Sequence, residues 1–97
     1  LNIRIHVTIA FLVIFLALIL KFSALEFCIL LFVIGLVIVA EMLNTAIEFT
    51  LDSIYHNRYS RMVGMAKDIS AGAVMFATII SILVGVILFG SKFLGQF

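Results

Sequence analysis

The chain has 97 residues, enough for one domain, and 66% of them are hydrophobic, with a mean hydropathy of +1.41. A soluble core of this length could not shelter so much apolar surface, whereas a lipid bilayer requires it. The net charge of +1 and the lack of a basic run give no basis for nucleic-acid binding. One cysteine offers neither a disulfide framework nor a CxxC metal or redox site. The composition therefore indicates an integral membrane protein.

The first apolar segment runs unbroken from Val7 to Leu20 and is closed by Lys21. With its flanking residues it predicts a membrane span over residues 5–22, near the lower length limit of about 17 residues. No small-residue cleavage pattern follows, so we do not expect a removable signal peptide. Because the chain begins at Leu1 and not at a methionine, we expect a fragment that lacks its native beginning.

The second apolar segment follows after a very short turn. Ser23 and Glu26 form an S-x-x-E capping box, which predicts the start of a second helix antiparallel to the first. The predicted span covers residues 24–51, and its last part is striped with polar side chains. At 100° per residue these side chains share an arc of about 100°. They are Glu41, Asn44, Thr45, Glu48 and Asp52.

Residues 53–66 form the longest polar segment and predict a loop before a third span at residues 68–90. The third span carries small residues at four-residue spacing, which favours close approach of another helix. They are Ala73, Ala77, Ser81 and Gly85. We therefore expect an all-α integral membrane three-helix bundle, too thin to surround the polar stripe without self-association.

Lysine and arginine are more frequent at the amino end and in the second loop than in the first turn and the tail. The positive-inside rule therefore places the amino terminus and the second loop in the cytoplasm. The polar stripe would then open towards the cytoplasm, where ATP is found.

The stripe has the residues for phosphoryl transfer from ATP to a lipid hydroxyl. Glu41, held partly out of water, is a candidate general base. Glu48 lies nearer the surface and could hold Mg²⁺, which prefers one or two carboxylates plus phosphate oxygens. Asn44 could orient either carboxylate or a substrate hydroxyl. Lys67 and Asp68 add a cation for phosphates and another carboxylate. The sequence contains neither a GxxxxGK[ST] loop nor a GxGxxG motif, so an ATP site here would have another design.

Three other interpretations remain open. The stripe could be interhelical hydrogen bonding without chemistry, although several carboxylates desolvated together are costly without a cation. The chain could be a non-enzymatic oligomer, such as a proton- or cation-coupled transporter with Glu41 as the carrier. It could also assemble without catalysing. We expect His6 and His56 to be interfacial side chains and not metal ligands, since neither has a second ligand at helical spacing.

Two segments, AEMLNTAIEFTLD at residues 40–52 and AKDISAGAV at residues 66–74, carry a family resemblance. They closely resemble the small prokaryotic diacylglycerol kinase family, which includes the undecaprenol kinases of Gram-positive bacteria. The NIRIH segment at residues 2–6 is similar to the one that opens the first helix of the undecaprenol kinases. The resemblance covers essentially the whole chain and implies a single transmembrane lipid kinase domain at residues 1–97.

The family resemblance implies a homotrimer with active sites shared between neighbouring chains in the bacterial cytoplasmic (inner) membrane. It implies transfer of the ATP γ-phosphate to a lipid alcohol with Mg²⁺, and the sequence favours undecaprenol, with diacylglycerol the alternative. Glu41 matches the family's proton acceptor and Asn44 a residue needed for activity. Glu48 matches its metal and nucleotide ligand.

The remaining site residues are also implied by the resemblance. Lys67 and Asp68 match nucleotide contacts, while Asn2 and Arg4 lie in a segment near the lipid substrate. The second loop departs from the family, because it is one residue longer and a glutamate-tyrosine-histidine triplet is replaced. Tyr59 is the one clear match there to a nucleotide contact. The family also has an amphipathic surface helix before the first span, with a glutamate that shares the metal and would fall one position before Leu1.

Overall fold

The computed structural model describes residues 3–56, 58 and 60–95, which form three α-helices: α1 (Ile3–Ile19), α2 (Ala24–Tyr55) and α3 (Arg61–Phe93). The bundle is elongated, at 53 × 19 × 17 Å. α2 packs along α3 over most of its length and more briefly against α1. The predicted all-helical fold with three helices is confirmed.

The turn between α1 and α2 is closed by a Schellman motif at the end of α1. Lys21 has a left-handed backbone conformation, with φ of 58°. The Phe22 N–H donates to the Ala17 carbonyl at 3.1 Å, and the Lys21 N–H donates to the Leu18 carbonyl at 3.2 Å. These two bonds satisfy carbonyls that a helix end otherwise leaves unpaired. The chain therefore reverses direction within a few residues, as the sequence predicts.

The predicted capping box at the start of α2 is confirmed. The Ser23 hydroxyl accepts from the Glu26 N–H at 3.2 Å, and the Glu26 carboxylate accepts from the Ser23 N–H at 2.7 Å. Two free N–H groups at the helix start are satisfied reciprocally in this way.

The loop predicted over residues 53–66 is mostly helical, so that expectation is wrong. α2 continues to Tyr55, where His56 ends it in a left-handed conformation with φ of 53°. α3 begins at Arg61 because the Ser60 hydroxyl caps it, accepting from the Val63 N–H at 3.1 Å. The polar composition of this segment reflects exposure of the two helix ends, and the break between the helices is confined to residues 56–60.

Two of the helices are long and apolar enough to cross a membrane. α2 has 32 residues and α3 has 33, which corresponds to about 48–50 Å of helix against a hydrocarbon core of about 30 Å. α1 has 17 residues, the lower limit for a span. Large apolar side chains point outwards along all three helices, as expected for lipid contact.

The best-packed part of the bundle lies beside the α1–α2 turn. Ala17, Leu30 and Leu88 form a buried cluster with one residue from each helix. The Phe22 and Phe89 rings lie beside it, with centroids 4.8 Å apart. These contacts fix the end of α3 against the hairpin.

A buried ion pair closes the same end of the bundle. The Lys92 ammonium on α3 donates to Glu26 Oε1 at 2.9 Å and lies 5.7 Å from the centre of the Phe22 ring. Both charged side chains are largely buried, with 15% and 10% of their surface exposed. Glu26 Oε2 is buried without a hydrogen-bond partner among the described residues, so the carboxylate depends on Lys92 for charge compensation.

We predict that Lys92→Met lowers the thermal unfolding midpoint by several degrees, because it leaves the Glu26 carboxylate buried without its cation. Lys21→Met is the matched control, since Lys21 is exposed at the same end of the bundle and forms no ion pair with the described residues. Unfolding followed by circular dichroism in one detergent would measure both. Equal shifts in the two variants would contradict the role of the pair.

Candidate functional site

The polar stripe of α2 changes from buried to exposed along its length. Glu41 is buried, with 6% of its surface exposed, while Asn44 and Thr45 are half-buried and Glu48 is exposed. Asp52, one turn further on, is half-buried. The stripe therefore connects an enclosed carboxylate to one that faces solvent.

Glu41 faces α1, where it meets His6. His6 Nε2 lies 3.7 Å from Glu41 Oε2, and the His6 side chain is 23% exposed. This pair and the buried pair Ala17 and Leu30 are centred on the same point of the chain, the junction between Ser23 and Ala24 where α2 begins. The register of the hairpin therefore places an imidazole directly beside the most buried carboxylate of the stripe.

Asn44 connects the stripe to α3 through its side-chain amide. Its Oδ1 accepts from the Ser70 hydroxyl at 2.6 Å, and its Nδ2 donates to Glu48 Oε1 at 3.2 Å. Because the amide oxygen accepts from the buried Ser70, the amide nitrogen is directed at the exposed Glu48 carboxylate. Ser70 also contacts the Lys67 carbonyl at 3.0 Å, so its position is set by its own helix.

Lys67 lies on α3 beside the outer end of the stripe. Its ammonium donates to Asp52 Oδ1 at 2.6 Å, with both side chains more than a third exposed. An ammonium has three donors, so two remain for a further anion. The outer end of the stripe therefore holds a cation accessible to a phosphate.

Two other predicted site residues, Asp68 and Arg4, lie outside the hydrogen-bond network that the described residues form around the stripe. Asp68 is exposed and forms no hydrogen bond or ion pair with the rest of the described site. Arg4 is exposed on α1, where it lines a shallow depression with Thr8. The predictions for Asn2 and Tyr59 lie outside the described residues.

An apolar groove of about 480 Å³ runs between the three helices from His6 to Phe89. Thr78 and Ser81 are the other polar residues of its lining. Gly85, part of the small-residue row predicted to pack against a helix, lines this groove, and a Cβ placed on it would meet nothing within 4 Å. Within the chain, that part of the row faces open space instead of a helix.

The residues present fit a Mg²⁺ ion held mainly by substrate phosphates. Glu48 is exposed, and the Asn44 bond engages Oε1, leaving Oε2 free. Among the described residues there is no cluster of three side chains of the His, Cys, Asp or Glu type that could hold a metal by themselves. A single exposed carboxylate matches the Mg²⁺ preference for few carboxylates, water and phosphate oxygens.

His6 and Ser70 are the site residues that sequence reasoning missed. His6 was expected to be an interfacial side chain, because helical spacing along one segment cannot reveal a partner on another helix. The sequence signal for the contact between His6 and Glu41 is the capping box at Ser23. It fixes the turn and therefore which residues of α1 and α2 lie side by side in the hairpin. Ser70 depends on the α2–α3 register, which no local motif determines.

The family profile described as prokaryotic diacylglycerol kinase matches residues 1–89 of the chain. The chain belongs to this family. Similar members include a Synechocystis diacylglycerol kinase, 37% identical over 87% of the chain and 48% of that protein. A Bacillus subtilis undecaprenol kinase is 34% identical over 94% of the chain and 73% of that protein.

Relatives in this family are longer than the chain. The Escherichia coli diacylglycerol kinase is 40% identical over 60% of the chain and 47% of its own length. The chain thus spans about half the length of the Synechocystis protein, and the aligned part is about half of the E. coli protein. No solved structure matches it significantly. Family membership and two long apolar helices identify the chain as a membrane protein.

We predict that Ser70→Ala lowers the free energy of unfolding by about 1 kcal/mol, the usual scale for an interhelical hydrogen bond in a membrane protein. The loss arises because Asn44 Oδ1 stays enclosed without its donor. Ser53→Ala, on the exposed end of α2, should change stability by less than about 0.5 kcal/mol. Reversible unfolding in detergent micelles would measure both, and equal effects would contradict the contact.

Proposed function

We propose that this protein transfers the γ-phosphate of ATP to the hydroxyl group of a membrane lipid. The observation that carries the proposal is the stripe on α2, which joins the buried Glu41 carboxylate to the exposed Glu48 and the accessible Lys67. Family membership supports the same reaction, since the similar relatives are named as kinases of diacylglycerol and undecaprenol.

In the proposed reaction, Glu41 accepts the proton of the lipid hydroxyl as the hydroxyl oxygen attacks the γ-phosphorus. Its low exposure keeps water from competing for the proton. Asn44, held by Ser70, orients the Glu48 carboxylate. Lys67 offers its free donors to the phosphates while Asp52 holds its position.

Mg²⁺ is the proposed cofactor, with Glu48 as its protein ligand, and it neutralises charge on the transferring phosphate when bound. Asp68 and Tyr59 are proposed nucleotide contacts, while Asn2 and Arg4 are proposed to lie beside the lipid head. Positioning and charge neutralisation supply most of the acceleration in such a reaction. The site residues therefore act chiefly by holding two substrates in line.

Undecaprenol is the proposed lipid, with diacylglycerol as its rival. The alignment with the undecaprenol kinase covers 94% of the chain, whereas that with the E. coli diacylglycerol kinase covers 60%. The Synechocystis diacylglycerol kinase is nearly as well covered, at 87%, so the choice requires a direct assay.

Transfer from labelled ATP to each lipid in mixed micelles tests the proposal, using the full-length protein. We expect Glu41→Gln to lower kcat by about 10²–10⁴-fold without changing the Mg²⁺ requirement, because proton transfer is lost. Glu48→Gln should raise the Mg²⁺ concentration for half-maximal activity by at least about tenfold.

The two glutamate variants serve as controls for each other, since each removes one charge from the same helix. No transfer to either lipid would overturn the kinase proposal. Preference for diacylglycerol would overturn the lipid assignment alone. Uptake of a cation into liposomes without ATP, abolished in Glu41→Gln, would instead favour a transporter.

The proposal includes a homotrimer with shared active sites and a cytoplasmic amino terminus. The exposed Asp68, which contacts no other site residue in the described part of the chain, is consistent with a contribution to a neighbour's site. The open groove at Gly85 leaves room for contact with another chain or with lipid. The distribution of lysine and arginine supports the orientation.

Mixed oligomers test whether the active sites are shared. Glu41→Gln and Asp68→Asn chains should each be inactive alone, whereas their co-expression should restore part of the activity. Restoration follows because some sites would combine an intact Glu41 with an intact Asp68 from another chain. Activity of the mixture equal to that of the inactive parents would show that each site is built within one chain. Glu41→Gln mixed with Glu48→Gln is the control for intersubunit placement of these two residues.

A further inference from the structure

His6 lies in the first turn of α1, four residues into the described chain, with its ring between α1 and α2. Its Nε2 is 3.7 Å from Glu41 Oε2, longer than a hydrogen bond but within the range that a small side-chain rotation would close. Catalytic contacts are often long before the substrates bind. The geometry therefore makes His6 the nearest group that could exchange a proton with Glu41.

The surroundings of this pair contain no competing charge among the described residues. From α2, Glu41 is the ionisable group facing His6, and no other ion pair to Glu41 is present. From α3, the polar lining residues of the groove beside His6 are Thr78 and Ser81, neither of which titrates near neutral pH. On α1 itself, Arg4 lines a different depression. Among the described residues, no third ionisable side chain faces the pair.

Glu41 must also lose its proton after each reaction, and its buried position makes this difficult. After each transfer a proton acceptor must return its proton before it can act again, yet Glu41 is 6% exposed and its carboxylate has no hydrogen bond among the described residues. Histidine is the side chain that gains and loses a proton near neutral pH. A histidine beside such a carboxylate can remove the proton and pass it on, whereas an arginine would remain charged.

We propose that His6 is a positioning residue that receives, at Nε2, the proton that Glu41 takes from the lipid hydroxyl. The inference rests on the proposed kinase function. As the new oxygen–phosphorus bond forms, the bond from the γ-phosphorus to the ADP oxygen breaks and the hydroxyl proton goes to Glu41. Glu41 then transfers this proton to the neutral imidazole, and the imidazolium releases it to water. Glu41 is ionised again, and no further reactant is needed.

The inference has a definite sign in its pH dependence. Neutral His6 can accept a proton and imidazolium cannot, so kcat should rise with pH as the neutral form becomes more populated. If imidazolium instead served only to hold Glu41 ionised, kcat would fall with rising pH. The two roles therefore give opposite slopes.

The test compares pH profiles of kcat for the wild-type full-length protein, His6→Gln and His6→Asn at saturating ATP and lipid. Both variants keep an amide donor near Glu41 but cannot take up a proton. We expect kcat at pH 7.5 to fall by roughly tenfold, less than the 10²–10⁴-fold for proton transfer as a whole, with the wild-type rise of kcat with pH abolished. KM for both substrates should stay within about twofold of wild type, since His6 acts through Glu41.

His56→Asn is the matched control, because His56 is an exposed histidine at the end of α2 and asparagine tolerates its left-handed backbone. It should keep the wild-type profile. A rise unchanged in both His6 variants, or a wild-type slope of the opposite sign, would overturn the inference. If wild type transfers phosphate and Glu41→Gln does not, either of these two outcomes overturns the role of His6 but leaves the proposed kinase function intact. Lack of transfer in wild type would overturn the function itself.

Discussion

Carboxylates on a mostly apolar helix require compensation from other helices, and this constraint determines how the bundle meets along its length. Among the described residues, three of the four carboxylates on α2 have an ionisable partner within 4 Å. The pairs are Glu26–Lys92, Glu41–His6 and Asp52–Lys67. The fourth, Glu48, is exposed and accepts from Asn44. Apolar contact alone would let the helices slide in lipid, whereas these polar contacts define a level for each helix.

The two buried carboxylates, Glu26 and Glu41, differ in what compensates them, and that difference is consistent with a structural role for Glu26 and the proposed chemical role of Glu41. Glu26 accepts from the Ser23 N–H at 2.7 Å and from the Lys92 ammonium at 2.9 Å. Among the described residues, Glu41 has only the His6 imidazole at 3.7 Å, beyond hydrogen-bond distance. A carboxylate whose oxygen is engaged by two short hydrogen bonds is a poorer proton acceptor than one without any. The weaker compensation at Glu41 leaves its oxygens available for a reaction.

Sequence reasoning succeeded where the determinant was local. The Ser23 capping box and the three apolar helices follow from residues a few positions apart, and the structure confirms them. It failed where polarity was taken as a loop signal, since residues 53–55 and 61–66 are helical. The stripe was visible because one helix carries it, but His6 and Lys92 pair with residues 35 and 66 positions away. Those pairings depend on register between helices, which periodicity within one segment does not encode.

The length of α2 explains how a single stripe could serve both a lipid and a nucleotide. Measured from Ala24 at the turn, Glu41 lies about 26 Å along the helix, just within a hydrocarbon core of about 30 Å. Glu48 lies at about 36 Å and therefore beyond the core, on the same face of the helix. α3 extends alongside and brings Lys67 to that outer level. In the proposed reaction, a lipid hydroxyl would stay at the membrane boundary and a nucleotide outside it, because α2 carries the proposed proton acceptor Glu41 and the proposed metal ligand Glu48 at these two levels.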